Sequence, residues 1–375
     1  MRVLHVIPSV SRVDGGPSEV IRGWLRHLGE QGVEMTVLTT DKGFSALDAD
    51  LADDSRVAVE RVIPPKRFSF SPWLAYRALS LIARTDVVHV HSIHTFSSTT
   101  SLWLSTLLRR PVVLQPHGSL DHYHWNQGRF KKALYSTLVD GLVLRHVSRL
   151  IVSSQHEAED RSPAWARRIP AAEVHLGVDQ TLLSEPRRQK AAGTEASVLF
   201  LGRITQKKRL DLALRAVAAV QNRGKSVRLI VAGPLDPQLT WSPEELVDDL
   251  RLRDRVDFLG TVDQAERRRL LADADVFILP SDDESFGVSV AEALAAGCPT
   301  VATRTVGIAS NAAGAGALRL AEADPDALAN ELLDILERED VASELSTRGR
   351  NYAAEHLTWQ SSVAQLAGVY RHELR

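Results

Sequence analysis

Short apolar runs alternate along the chain with stretches whose apolar residues recur every three or four positions. In the first half the runs are RVLHVI (2–7), EMTVLT (34–39), VAVERVI (57–63), DVVHVH (86–91), PVVLQP (111–116) and RLIVSS (149–154). Each has strand length, and most are apolar almost throughout, as strands buried on both faces are. Amphipathic segments lie between most of them. In SEVIRGWLRHLGEQG (18–32), Val20, Ile21, Trp24, Leu25 and Leu28 share one helical face, and Gly32 supplies a C-terminal stop. Strands separated by helices predict a parallel sheet covered on both sides.

The pattern lapses in DQTLLSEPRRQKAAGTEA (179–196), which is polar, charged and interrupted by Pro186 and Gly193. An interdomain linker is expected at 181–196. The alternation then restarts with strands SVLFLG (197–202), VRLIVAG (227–233), RVDFLG (255–260), DVFILP (275–280) and PTVAT (299–303). Helices are expected at 208–223, 243–252, 264–273 and 286–296. The predicted fold is α/β, with two doubly wound Rossmann-like domains at 1–180 and 197–357. A helix in 358–375 is expected to pack back on the first domain. Such domains bind ligands outside the C-terminal ends of their strands, so the expected site lies between the two.

Composition narrows the function. A length of 375 residues suits two domains, and 44% hydrophobic with 25% charged residues is ordinary for a soluble protein. The net charge of -2 gives no basic field for nucleic acid. One cysteine, Cys298, excludes a disulfide framework and suits a reducing compartment. The apolar run before Pro8 is too short for a signal peptide, and no stretch approaches the ~18 apolar residues of a membrane span. These features predict a cytoplasmic protein.

Two segments carry candidate chemistry. FLGRITQKKRLDLAL (200–214) runs from a strand through a loop into a helix, and places Arg203 and Lys208 five residues apart. Two cations at a strand end suit a diphosphate, whose departing charge needs fixed positive partners; a solvated basic loop gives the same pattern. ESFGVSVAE (284–292) puts Glu284 in a loop ahead of a helix, and Glu292 two turns into it. Gly287 lets backbone amides approach a ligand, and the helix start offers N–H groups to anionic oxygens. A carboxylate at Glu292 suits a pair of ribose hydroxyls. The simpler alternative is a Glu284 that only favours the helix dipole and a solvated Glu292.

The conjunction resembles the retaining glycosyltransferases of family 4, which have the two-domain GT-B fold. The motifs are Glu284-x7-Glu292 followed by ALAAGCPTVAT, GRITQKKRLD upstream, GGPSEV after the first strand, QPHGSLD after the fifth, and the last tyrosine-containing helix. The resemblance implies that Glu284 contacts the transferred sugar and Glu292 the nucleotide ribose. It implies that Arg203 and Lys208 neutralise the diphosphate, and that Phe286, Gly287 and Val288 contact sugar and phosphate through their backbone. Gly15 and Gly16 would let a loop approach the diphosphate or the acceptor. His117 would lie near the reacting carbon, and Gly260 and Val262 beside the nucleobase. It further implies a front-face, ion-pair route without a metal or other cofactor. Arg209 stands where the family commonly has glycine, and HLGVD (175–179) where it often has PNGVD.

Three other segments have bland readings. His89, His91 and His94 in HVHSIHTF have metal-like spacing, but without carboxylates or cysteines beside them they read as strand-end and acceptor-side residues. Ser154 and Glu157 have capping-box spacing and mark a helix start. The basic amphipathic stretch 128–149, with Phe130, Leu134, Leu138 and Leu142 on one face, reads as a helix on its own sheet or, alternatively, on a membrane surface. The expected activity is transfer of a hexosyl-type sugar from a UDP- or GDP-sugar to an acceptor hydroxyl. Its expected setting is synthesis of cell-surface polysaccharide or a lipid-linked glycan at the inner face of the membrane. A nucleotide-sugar epimerase and a non-catalytic nucleotide-sugar binder are the alternatives.

Overall fold

The computed structural model describes residues 1–11, 16–45, 48–64, 68–122, 125, 130, 134–135, 139, 141–187 and 195–375. These form two units, Met1–Gly177 with Trp359–Arg375, and Val178–Thr358.

In the first unit, β1 (Arg2–Val6) pairs in parallel with β2 (Glu34–Thr40) and β4 (Val87–His91). Outward on one side lies β3 (Val57–Glu60); on the other lie β5 (Val112–Gln115), β6 (Val147–Val152) and β7 (Ala171–Glu173). The order is β3-β2-β1-β4-β5-β6-β7. The reversal at β1 is the switch point of a doubly wound sheet. Leu4, Val6, Val88, Val90 and Leu114 are buried in its core with Leu74, Ala78 and Ile82 of the helix Pro72–Ala83. On the other face lie the helices Gly16–His27 and Trp359–Glu373. Trp24 is fully buried there, its indole N–H donating to Ser362 Oγ at 3.2 Å. Gly32 has a φ of 70° and donates its N–H to Gly29 O, ending the first helical segment as expected.

The second unit has a six-stranded parallel sheet. Its strands are β8 (Ala196–Leu201), β9 (Val227–Ala232), β10 (Val256–Gly260), β11 (Val276–Leu279), β12 (Thr300–Thr303) and β13 (Arg319–Ala321). Their order is β10-β9-β8-β11-β12-β13. The helices Leu210–Asn222, Gln264–Asp273 and Val288–Ala295 match the periodicity closely. Cys298 is buried, its Sγ 3.5 Å from Ala274 O.

Three expectations need correction. The segment expected as a linker opens with a helix, Gln180–Ser184, capped by Asp179 Oδ1 accepting from Thr181 N–H at 3.0 Å. Residues from Val178 onward belong to the second unit, because Asp179 also bonds Gln264 and Arg268 there. The stretch 128–149 is not one helix: after the helix Gly141–Leu144, β6 starts at Val147, and much of 126–140 lies outside the described residues. Finally, His91 does end β4, but it and His89 are fully buried and so are not open acceptor-side residues.

Candidate active site

In the second unit, two glycines shape the strand ends. Gly202 and Gly233 have φ of 141° and 142°. A Cβ on Gly233 would collide with the carbonyl of Gly202, so β8 and β9 meet there more closely than side chains permit. Gly202 N–H donates to Ala232 O at 2.8 Å, and Ile204 N–H to Pro234 O at 2.9 Å. The chain then makes a tight turn at Gln206–Lys208 and enters the helix Leu210–Asn222. Lys208 folds back over the strand end, its Nζ within 3.3 Å of where a Gly202 Cβ would stand. Arg203 lies exposed beyond the same strand. Lys208 is therefore not a solvated lysine, being only 14% exposed.

The loop after β11 is tied down on both sides. Asp282 N–H donates to Lys207 O at 2.8 Å, Glu284 N–H to Thr305 O at 3.1 Å, and Gly307 N–H to Glu284 O at 2.8 Å. Ile308 N–H donates to Phe286 O at 2.9 Å. The Glu284 carboxylate meets Lys208 Nζ at 2.8 Å. Burial alone would raise its pKa, but Lys208 and then Lys207 outweigh burial and hold the carboxyl below its ordinary range. Glu284 is thus an anionic hydrogen-bond acceptor beside an ammonium, with a backbone that has little room to shift.

Gly287, with φ 95°, turns the chain into the helix Val288–Ala295. No side chain caps that helix start, so its first N–H groups remain for an anion. Phe286 is buried and anchors the turn, while Val288 is exposed. Glu292 accepts from Arg267 Nη1 at 3.0 Å, so a ribose would share that carboxylate with a guanidinium. Arg267 was not legible as a partner, because it stands in a run of three arginines of which it alone reaches Glu292 among the described residues. Gly260 ends β10 with φ 65° and open space where a Cβ would be, and Gly233 N–H donates to its carbonyl at 2.7 Å. Val262 follows, half-buried, on an edge with exposed Phe258 and Leu259.

In the first unit Gly15 lies outside the described residues, and Gly16 is the exposed first residue of its helix. A fully buried Arg22 anchors this corner. Its guanidinium donates to Asp48 Oδ1 at 2.9 Å and Val10 O at 2.8 Å.

His117 follows β5 with φ 52°, a left-handed conformation that few side chains adopt. Its Nε2 lies 2.9 Å from His91 Nδ1. The next residue, Gly118, donates its N–H to Glu157 Oε1 at 2.8 Å, and Glu157 Oε2 accepts from Ser153 N–H and Oγ, both at 2.7 Å. Ser154 Oγ does cap the helix Gln155–Glu159, accepting from Glu157 N–H. The Glu157 side chain, however, pins the His117 turn rather than returning to the cap residue. Behind His117 lie His91, His5, Tyr370 and His89, all fully buried. Burial holds His117 down to about 4 and His5 to about 3. His5, His89 and His91 bring nitrogens within 4.8 Å of one another. The rings of His89 and His91 are nevertheless stacked, 4.2 Å apart at 23°. Such stacking suits poorly the convergent in-plane lone pairs of a zinc site, and His5 Nδ1 and His91 Nε2 already meet each other at 3.0 Å.

Comparison with known proteins follows the same division. Residues 15–177 match the model of the glycosyl transferase 4-like domain, and residues 184–354 that of glycosyl transferases group 1. A GDP-mannose:cellobiosyl-diphosphopolyprenol alpha-mannosyltransferase from Xanthomonas campestris is 25% identical over 79% of this chain and 77% of its own length. A D-inositol 3-phosphate glycosyltransferase from Corynebacterium urealyticum is 25% identical over 95% of this chain and 90% of its own. Among solved structures, HepE from Anabaena in complex with UDP and glucose superposes with a TM-score of 0.76, at 19% identity over 99% of this chain and 100% of its own.

Proposed function

Because this chain belongs to the group 1 glycosyltransferases and has their GT-B fold, we propose that it moves a hexosyl-type sugar from a nucleotide diphosphate sugar to an acceptor hydroxyl with retention of configuration. One observation carries the reading. A half-buried carboxylate, Glu284, is locked against Lys208 beside an uncapped helix start, with Glu292 two turns further on. In this reading the ammonium and the helix amides take up the charge that develops on the leaving diphosphate. Arg203 reaches the same phosphates from the end of β8. Glu284 accepts from sugar hydroxyls, Glu292 from the ribose, and the edge at Gly260 and Val262 receives the base. His117 supplies a hydrogen-bonding group toward the sugar.

The fixed cations make a metal unnecessary, and a chelator is expected to leave the rate unchanged. UDP and GDP are the donor nucleotides proposed, since similar proteins use GDP-mannose or bind UDP. The acceptor proposed is a lipid-linked or cell-surface glycan, met at the inner face of a membrane. Among the described residues no helix is long and apolar enough to cross one. Exposed Trp73, Tyr76, Trp103 and Leu107 on two neighbouring helices supply an apolar surface for peripheral contact.

The test is nucleotide release from UDP-, GDP- and ADP-sugars, with and without candidate acceptors, in the wild type and Glu284→Ala. Release from one donor that is lost in the variant supports transfer at this site. Sugar conversion without an acceptor would instead indicate an epimerase. Absence of both release and donor binding would leave a scaffold without this activity.

A further inference from the structure

His117, His91, His5, Tyr370 and His89 form one unbranched hydrogen-bonded chain. Its links are His117 Nε2 to His91 Nδ1 at 2.9 Å, His91 Nε2 to His5 Nδ1 at 3.0 Å, His5 Nε2 to the Tyr370 hydroxyl at 3.0 Å, and that hydroxyl to His89 Nδ1 at 2.6 Å. The chain is assembled from three distant parts of the sequence. His5 of β1 is paired with His89 of β4, His91 follows on the same face, and Tyr370 comes from the helix Trp359–Glu373. Its inner end, His89 Nε2, is buried without a hydrogen-bond partner. Its outer end is half-buried His117, whose Nδ1 makes no hydrogen bond among the described residues.

Proton counting limits the states of this chain. Each neutral imidazole carries one N–H, and the tyrosine one O–H. Four links need one proton each, and five are present. Two neighbouring imidazoles that turn opposite ways leave one link with two protons or none. With the tyrosine proton in a link, two arrangements satisfy every link, all four histidines protonated at Nε2 or all four at Nδ1; a third, with only His89 turned to Nδ1 and Tyr370 accepting from both neighbours, strands the buried tyrosine O–H. The first strands a buried N–H at His89. The second leaves only a bare lone pair there, and orphaned buried donors are the rarer defect in proteins.

We infer that the relay holds His117 as the Nδ1–H tautomer, so that its outer nitrogen is a hydrogen-bond donor and not a base, and its inner nitrogen accepts from His91. His117 then selects ligand oxygens that accept, such as a sugar hydroxyl oxygen or a phosphate oxygen. Burial keeps all four imidazoles neutral, and His89 and His91 are pushed well below the ordinary histidine range. The catalytic consequence of this inference rests on the proposed role of His117 in transfer; the tautomer itself does not.

The experiment is a long-range nitrogen–proton correlation spectrum of the full chain labelled with 15N-histidine, with His117 assigned by loss of its signals in His117→Asn. The expected result is a protonated Nδ1 and a bare Nε2 at His117, and the same pattern at His5, His89 and His91. In Tyr370→Phe the two innermost links are lost. By the same count the shortened relay, ending at a bare His5 Nε2, keeps His117 as the Nδ1–H tautomer in this variant. An Nε2–H or mixed His117 in the wild type overturns the inference, and so does a change of His117 to Nε2–H in Tyr370→Phe. If Tyr370→Phe does not fold, the wild-type spectrum alone decides. An Nδ1–H His117 in an enzyme whose transfer rate ignores His117→Asn would keep the relay and remove His117 from the reaction.

Discussion

Lys208 and Glu284 meet at 2.8 Å across the ends of two neighbouring strands, β8 and β11. Each is the other's counter-charge, so their contributions to turnover are coupled. Lys208→Ala and Glu284→Ala should each lower kcat on the order of 10²–10³. The double variant should lose much less than the product of the two, because the second substitution removes a group already deprived of its partner. Steady-state kinetics of the four proteins closes the cycle. Strictly multiplicative losses would show that the two residues act separately.

Gly287 has no room for a methyl group. Its φ is 95°, and a Cβ would stand 2.5 Å from Val306 Cγ1. Gly287→Ala should cost about 1–3 kcal/mol of stability from strain and overlap together. Val306→Ala in the same chain should recover part of that, since it relieves the overlap and not the backbone strain. Urea unfolding of the single and double variants measures both parts.

Arg209 adopts φ 50° and is held by Asp211 and Asp282, at 2.9 and 2.8 Å. That backbone angle accounts for the glycine common at this position in the family. Arg209→Ala loses both ion pairs and keeps the strain; Arg209→Gly loses the same pairs and relieves it. The glycine variant should therefore be the more stable by about 1 kcal/mol. Equal unfolding midpoints for the two would contradict a strained residue 209.

Acid should weaken the fold before carboxylates titrate. His5, His89, His91 and His117 are held neutral in the folded protein, down to about 3 at His5 and about 4 at His117. Unfolded histidines take up protons below about 6.5. The unfolded chain thus binds more protons in this window, and stability falls as pH drops through it. Glu157, raised by burial, acts in the opposite sense, as one group against four. The urea midpoint should fall steadily between pH 7 and pH 5, and less steeply in His117→Asn. A flat profile would mean that the imidazoles are not buried neutral.

Ten of the eleven expected strands lie within a residue or two of their place, because buried parallel strands are apolar on both faces and need no partner to be visible. VAVERVI shows the limit: its strand stops at Glu60, and Val62 donates its N–H to the Asp41 side chain instead. β7 and β13, of three residues each, were invisible because they are half-exposed edge strands with little apolar content. The donor-side residues were legible as a motif, and the Lys208–Glu284 contact gives the motif a geometry. The partners that hold them were not. Glu157 looked like a capping residue and instead fixes the His117 turn. His5 was an unremarked polar position in RVLHVI, and its meaning emerges only when β1 and β4 pair and Tyr370 arrives from the end of the chain.

That last contact has a consequence for how the protein is made. The helix Trp359–Glu373 belongs to the first unit, yet the ribosome synthesises it after the whole of the second. Until then the face bearing His5, His89 and Trp24 lacks its cover, and Gly23 and Gly177 lack the Trp359 indole that packs against them. The first unit, although translated first, is thus completed last. A nascent chain arrested before residue 359 would expose a histidine-lined apolar face, the surface that a chaperone would have to guard.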